Sequence, residues 1–413
     1  MNMVSKMALG LALALGAASM VATAPAAAKQ KQASISLSGP VREKVAAAQT
    51  ALGKDDVATA KAALTEAEAL IKTPDDKLVV GQFYLQIAQK SNDNALLGKA
   101  VNMMLDSGKA PADNLAALQV VKGKLAYHAK DYATAVQALT AAQAANSTDP
   151  DLVPVLVSAL SLTGRTPEAL GTLEQAIAKQ QAAGQAVPSD WYARGISMAY
   201  SAKGKDPASQ AQLAASTMRI TQSWLAAYPT KSNWRDSLII YRDMNKIDAD
   251  QELDVSRLMR TAGALNGERD YMDYVQATYL RFPAEAKAVL EEGKAAGTLN
   301  LTAPGNAKEL YGIVSAKIAA DKASLSKNAA SGRAALSTGD AYLGYKDWAS
   351  AIDLYKQALA KGGVDANVVN TRLGMALAMA GRKDEAKQVF SAVTGPRAGL
   401  AKYWLIYLDH PVA

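Results

Sequence analysis

Two histidines, His128 and His410, and no cysteine occur in a chain of 413 residues. A zinc centre or a histidine-dependent triad needs imidazole or thiolate groups brought together, and two rings this far apart supply neither. His128 is expected as a solvated or groove-lining ring at the end of a helix. Ser197, within Gly195-Ile196-Ser197-Met198-Ala199, approaches the pattern of a nucleophile elbow. That elbow sits between a strand and a helix, whereas this segment reads as helix interior. Ser324 and Lys327 have the S-x-x-K spacing without the motifs that accompany it in enzymes. Asp248, Asp250, Glu252 and Asp254 alternate as calcium ligands do, but a calcium loop would place glycine at Leu253 and glutamate at Met259. These acids are expected as a solvated helix start, where carboxylates suit the positive end of the helix dipole. No phosphate-cradling glycine loop is present, and no Glu-Ser step of the kind a lysozyme-like domain would need. The expectation is a protein without catalytic residues, cofactor or metal.

The elements that carry these residues follow from composition and period. Half the residues are hydrophobic but only 6% are aromatic, with three phenylalanines. The commonest apolar residue is alanine, the strongest helix former. That composition excludes a disulfide scaffold, a cysteine zinc site and most all-β folds. From Pro40 onward the chain is a succession of amphipathic, helix-length segments. Each is closed by Gly, Asp, Asn or Pro and reopened by caps such as Thr73-Pro74 or Asp149-Pro150. Alternating runs of β-branched residues are missing, so an all-α fold is expected.

The segments recur in pairs. Ala135, Leu139 and Ala142, which follow Gly123, return as Ala169, Leu173 and Ala176 at a 34-residue period. Near the C-terminus, Gly339, Tyr342, Ala351, Tyr355 and Ala358 are followed in register by Leu373, Gly374, Leu377, Ala386 and Phe390. Small residues at the Gly and Ala positions let paired helices approach, and the large residue beyond fills the space beside the next pair. This pattern resembles the tetratricopeptide repeat, most clearly at Ala112 to Ala183 and Arg333 to Val393. The resemblance implies an α-solenoid of stacked antiparallel helix pairs forming a superhelix. Gly81 with Tyr84, Trp191 with Gly195, and Trp234 with Tyr241 follow it less well. Asp248 to Gly293 is helical by pattern but fits the repeat poorly.

In the resembled family, the first helix of each pair lines a concave groove that takes peptides. Carried over where this sequence keeps register, the groove-facing candidates are Lys124, Tyr127 and His128 beside Gly123. Tyr192 and Tyr200 flank Gly195, Arg235 and Arg242 follow Trp234, and Arg333 and Asp340 flank Gly339. Ser189 to Phe282 also concentrates three tryptophans (Trp191, Trp224, Trp234) and seven tyrosines in an aromatic-poor protein. Such rings fill a core whose alanines are small or form binding hot spots. Trp348, at a helix start, is expected to pack.

Residues 1–28 read as a cleavable secretory signal. Lys6 provides the positive start, Met7 to Val21 the apolar run, and Ala26-Ala27-Ala28 the small-residue cleavage site. Residues 29–39 read as a flexible tether, 40–292 as an N-terminal helical array, 293–306 as a hinge marked by Gly297, Pro304 and Gly305, and 307–413 as a C-terminal array. A periplasmic or secreted location follows, with no membrane-spanning segment after cleavage. The net charge of +7 is dispersed rather than clustered, which argues against nucleic acid as a partner. The expected function is a periplasmic protein-protein interaction scaffold or assembly adaptor that binds another envelope protein or peptide. The alternative is a carbohydrate-binding accessory factor in cell-wall or exopolysaccharide handling, with the tryptophan and tyrosine rings stacking on sugars.

Overall fold

A computed structural model describes residues 35–202, 206–325 and 329–412. The expected signal and most of the tether lie outside the described residues. Among those described, the regular structure is entirely helical, and none of the helices is long and apolar enough to cross a membrane. The protein divides into two compact units, one ending at Ala176 and the other starting at Ile177.

The first unit contains α1 (Gly39–Gly53), α2 (Val57–Ala69), α3 (Pro74–Ser91), α4 (Asn94–Asp106), α5 (Ala112–His128), α6 (Tyr132–Ala144) and α7 (Leu152–Leu162). Helix α8 (Thr166–Ala182) spans the division. The helices pair as α1 with α2, α3 with α4 and α5 with α6. One turn geometry joins each pair. A residue with positive φ (Asp55, Asn92, Lys130) precedes an aspartate (Asp56, Asp93, Asp131). The aspartate's carboxylate then accepts a backbone N–H of the new helix. Its own N–H closes the preceding helix on the carbonyl of Ala51, Ala88 or Ala126, so both orphaned helix ends are satisfied within one short turn. Gly164-Arg165 repeats the closure on Leu160. Within the α5–α6 pair a Cβ at Gly123 would stand 2.4 Å from Leu139, which is why glycine holds that position. The described end of the tether is fastened rather than loose. Ser36 N–H donates to Asp75 and Ser38 N–H to the buried Asp76, at 2.9 and 2.8 Å.

The second unit contains α9 (Ser189–Ser201), α10 (Pro207–Ala227), α11 (Lys231–Met244), α12 (Ala249–Thr261), α13 (Gly267–Thr278), α14 (Pro283–Ala295), α15 (Asn306–Ser324), α16 (Gly332–Gly344), α17 (Trp348–Lys361), α18 (Ala366–Met379), α19 (Lys383–Ser391) and α20 (Ala398–Asp409). Among its described residues the same turn returns at Lys346-Asp347 and Gly381-Arg382. The pairs α16–α17 and α18–α19 are thus the ones with the repeat's local geometry. Gly374 lies against the Phe390 ring, where a Cβ would be 2.6 Å away. Helices α12 and α14 end in the same backbone closure, Ala264 N–H on Met259 and Thr298 N–H on Gly293. The helices that follow start only at Gly267 and Asn306, so the tight two-residue turn is absent there, in keeping with the poor sequence fit of Asp248 to Gly293.

The C-terminal helix returns to the start of its unit. Tyr403 on α20 shares a 2.6 Å hydrogen bond with Thr221 on α10 and meets Trp234 and Tyr241 of α11 edge to face. Phe390 stacks on Trp404 at 5.5 Å. One continuous core therefore runs from Leu225 through Ala335 to Leu408. Each buried aromatic removes about 150–250 Å² from water, a gross gain of roughly 4–6 kcal/mol, so this closure is strongly driven. The segment expected as a hinge lies inside this unit: Gly293 belongs to α14 and packs on Leu299, and Leu299 and Leu301 are buried. The division between compact units falls at Ala176 and Ile177, outside 293–306.

Candidate functional site

The nine groove candidates separate by environment. Lys124 is buried, and its ammonium donates to Asp149 at 2.9 Å and Asp151 at 2.8 Å. Burial alone would lower its pKa, but Asp151 and Asp149 outweigh this and raise it. Tyr192 is wholly buried, and Asp340, on α16, is buried as well. These three are corrections to the groove reading, because their positions beside the small residue of a helix turn inward onto a neighbouring helix. Arg235 is engaged with Asp270 at 3.0 Å. Arg242 is half-buried, 3.8 Å from Glu252. Tyr200 is 52% exposed and donates to Asp243 at 3.0 Å, which raises its pKa. Tyr127 is half-buried with its ring edge-on to His128 at 5.9 Å; His128 and Arg333 are exposed. Lys124, Tyr127 and His128 belong to the first unit and the other six to the second.

A cleft of about 480 Å³ in the second unit gathers other residues instead. Its walls come mainly from alternate helices: Arg257, Arg260 and Thr261 of α12, Glu285 and Glu292 of α14, Leu343 of α16, Met375, Ala378 and Met379 of α18, and Trp404 and Tyr407 of α20. Tyr274, Lys346 and Trp348 complete it. Every second helix facing one hollow is what stacking helix pairs produces, so this cleft is the inner face of the closing part of the unit. One side is apolar and sulfur-rich. The other carries a two-pronged Arg260–Glu292 pair, both contacts at 2.7 Å, with the exposed Lys346 ammonium 3.7 Å from Glu292. Burial pushes Glu292 up, but Arg260 outweighs it and holds the carboxyl low.

Beneath the cleft lies a buried set of three carboxylates and three guanidiniums. Arg257 grips Glu285 with two bonds of 2.9 and 2.8 Å and reaches Asp254 at 2.9 Å. Arg372 of α18 donates to Asp254 at 3.3 Å and to Asp340 at 2.7 Å, and Arg397, just before α20, also donates to Asp254. Tyr274 caps Glu285 at 2.6 Å and Tyr355 caps Asp340 at 2.8 Å. Desolvation opposes every charge here. For Asp254 the three guanidiniums outweigh it and lower the pKa, and Arg257 does the same for Glu285. For Asp340, desolvation wins and the carboxyl is raised. The set is neutral in sum, the condition under which buried ions persist.

The acids read as a solvated helix start are divided by the fold. Asp248 is the cap of α12, accepting the Gln251 N–H at 2.7 Å, and Asp250 and Glu252 lie in its first turn. Asp254 is fully buried, a correction whose cause is its arginine partners on α18 and before α20, which local pattern does not reveal. The aromatic concentration between Ser189 and Phe282 is mostly core: Trp191, Trp234, Tyr192, Tyr241, Tyr271 and Tyr274 are buried. Ser197 lies in the interior of α9, as expected. Trp348 packs against the core as expected, and also lines the cleft. Met375, Ala378 and Met379 stand at the same offsets from Gly374 as Lys124, Tyr127 and His128 do from Gly123. Extending the register to Gly374 leads to them, although methionine carries no charge or ring to mark it as a binding residue.

No protein-family model matches the sequence, and no curated protein matches it. Among solved structures, one from the Naa15/Naa10 complex bound to HypK-THB aligns at 15% identity with a TM-score of 0.30, over 87% of this protein and 59% of that neighbour. The protein thus spans about three-fifths of that neighbour's length. The all-α, paired-helix fold stands on the geometry of the protein itself.

Proposed function

We propose that this protein is a binding scaffold that holds a protein or peptide segment in the cleft of its second unit and performs no chemistry of its own. The observation that carries the reading is the cleft's position on the alternate, inward helices, with an apolar wall of Leu343, Trp348, Met375, Met379 and Tyr407 facing the charged trio Arg260, Glu292 and Lys346. An apolar anchor residue fits the first wall. An acidic neighbour on the same ligand fits Lys346, the cation of the trio with the most distant partner. The leader-like sequence of residues 1–28 supports action in the bacterial envelope, as an adaptor between exported proteins. N-terminal sequencing of the protein recovered from a periplasmic extract tests that location: a start near Lys29 agrees with it, and a start at Met1 opposes it.

The binding reading is tested by probing a peptide array with the full-length protein and with Met379→Glu. Apolar-anchored, acidic peptides bound by the first and lost by the second support it. A second reading, an oligosaccharide ligand, draws on Trp348 and Tyr407 standing beside Arg260 and Glu292, a pairing of ring faces and planar polar groups suited to sugars. Quenching of tryptophan fluorescence by envelope glycans but not by peptides would favour it.

A further inference from the structure

Asn266 and Gly267 form the one Asn-Gly step in the sequence, in the short loop between α12 and α13. Asn266 is exposed, and its amide makes no capping bond to the helix that follows. The Gly267 N–H stands at the first position of α13, where the helical ladder leaves backbone donors unused. Gly267 has φ 78°, and nothing lies within 4 Å of where its Cβ would be. Glycine at 267 therefore sets no Cβ beside the exposed Asn266 amide, and the backbone nitrogen that follows lacks the steric cover any other residue would give it.

We infer that Asn266 is a site of spontaneous deamidation. The Gly267 backbone nitrogen attacks Cγ of Asn266; a new bond from that nitrogen to Cγ closes a succinimide, and the bond from Cγ to Nδ2 breaks. Ammonia departs carrying the proton equivalent that the backbone nitrogen releases. Water then opens the ring at one of its two carbonyl-to-nitrogen bonds, leaving aspartate or isoaspartate. The net change is one water consumed and one ammonia released, with no oxidation or reduction.

The product bears on the α12–α13 junction. The Asn266 N–H donates to Asp270 at 3.0 Å, and Asp270 also receives Arg235 of α11 at 3.0 and 3.3 Å. Leu265, the preceding residue, packs against both core clusters of the unit. Isoaspartate adds a backbone carbon between residues 266 and 267 and sets a new carboxylate beside Asp270, so the junction loosens. Because α12 and α13 bear Arg257, Arg260 and Tyr274, cleft binding weakens as the protein ages; this last consequence rests on the proposed function, while the deamidation does not.

The test is to incubate the full-length protein at mildly alkaline pH, natively and in denaturant, and to follow every asparagine by peptide mass mapping with enzymatic isoaspartate labelling. Asn266 is expected to lose its amide first in the native protein, giving both products, and the aged protein is expected to melt lower. Asn266→Gln is expected to keep its melting temperature over the same period. An Asn266 that stays intact natively while deamidating in denaturant, or another asparagine reacting first in the native protein, overturns the inference. Deamidation of Asn266 with no loss of peptide binding would count against the cleft reading and leave the inference about Asn266 standing.

Discussion

Arg372 reaches Asp254, 118 residues earlier in the sequence, with its Nε 3.3 Å from Oδ1, while its other arm holds Asp340 at 2.7 Å. One guanidinium thereby joins α12, α16 and α18, and Arg397 adds the approach to α20 on the same Asp254 carboxylate. The cleft exists because these helices are held at fixed positions beneath it.

Asp254→Asn leaves Arg257, Arg372 and Arg397 facing one fewer buried anion. Loss of one partner from a buried ion set costs about 3–5 kcal/mol. Urea denaturation followed by circular dichroism should show a midpoint lowered accordingly, without loss of helix in the absence of urea. Asp250→Asn, on the same helix but half-buried, should shift it far less.

The pH dependence has two opposing parts. Asp254 and Glu285 are held below their ordinary values. Their stabilisation is complete above roughly 4 and is lost as pH falls through the lower folded values. Asp340 is raised, so the folded state binds its proton more tightly. Stability from this group is complete below the ordinary aspartate range, about 3.9, and is lost as pH rises through its higher folded value. In a series of urea midpoints against pH, Asp340→Asn should remove a downward slope just above that range. An identical slope in the variant would assign the behaviour elsewhere.

Gly374→Ala places a methyl group against the Phe390 ring, which is buried and itself stacks on Trp404. The intrinsic helix gain of up to about 1 kcal/mol is outweighed by overpacking of roughly 1–3 kcal/mol, for a net loss in thermal denaturation. Gly171→Ala, where nothing beyond the adjoining backbone of its own helix lies within 4 Å of the new methyl, should raise stability instead.

Tyr192→Ala and Tyr127→Ala distinguish core from surface among the tyrosines expected to face the groove. The first empties a fully buried site and should cost about 3–5 kcal/mol. The second, half-buried beside Tyr132 and His128, should cost roughly 1 kcal/mol or less. Equal losses in calorimetry would contradict the burial described for them.

The paired helices are legible in the sequence because their causes are local. A glycine opposite a large residue and an aspartate after a positive-φ turn each act within one repeat, as at Gly374 with Phe390 and Lys346 with Asp347. The return of α20 to α10 and α11 is not legible, since Tyr403 and Thr221 meet across 182 residues and neither carries a pattern of its own. For the same reason Asp254 reads locally as a solvated helix acid. The candidate site is half legible: the groove offsets are right in kind, but in this unit they lead to Met375, Ala378 and Met379, while most of the basic and aromatic residues expected there are buried or paired.

The central claim is that the inner cleft of the second unit is the binding surface, and the peptide array with the full-length protein and its Met379→Glu variant tests it most directly. The account predicts peptides with an apolar anchor and an acidic neighbour bound by the parent, lost in the variant, with unchanged melting temperature. Peptides held equally by both proteins, or glycans held where no peptide is, would contradict it.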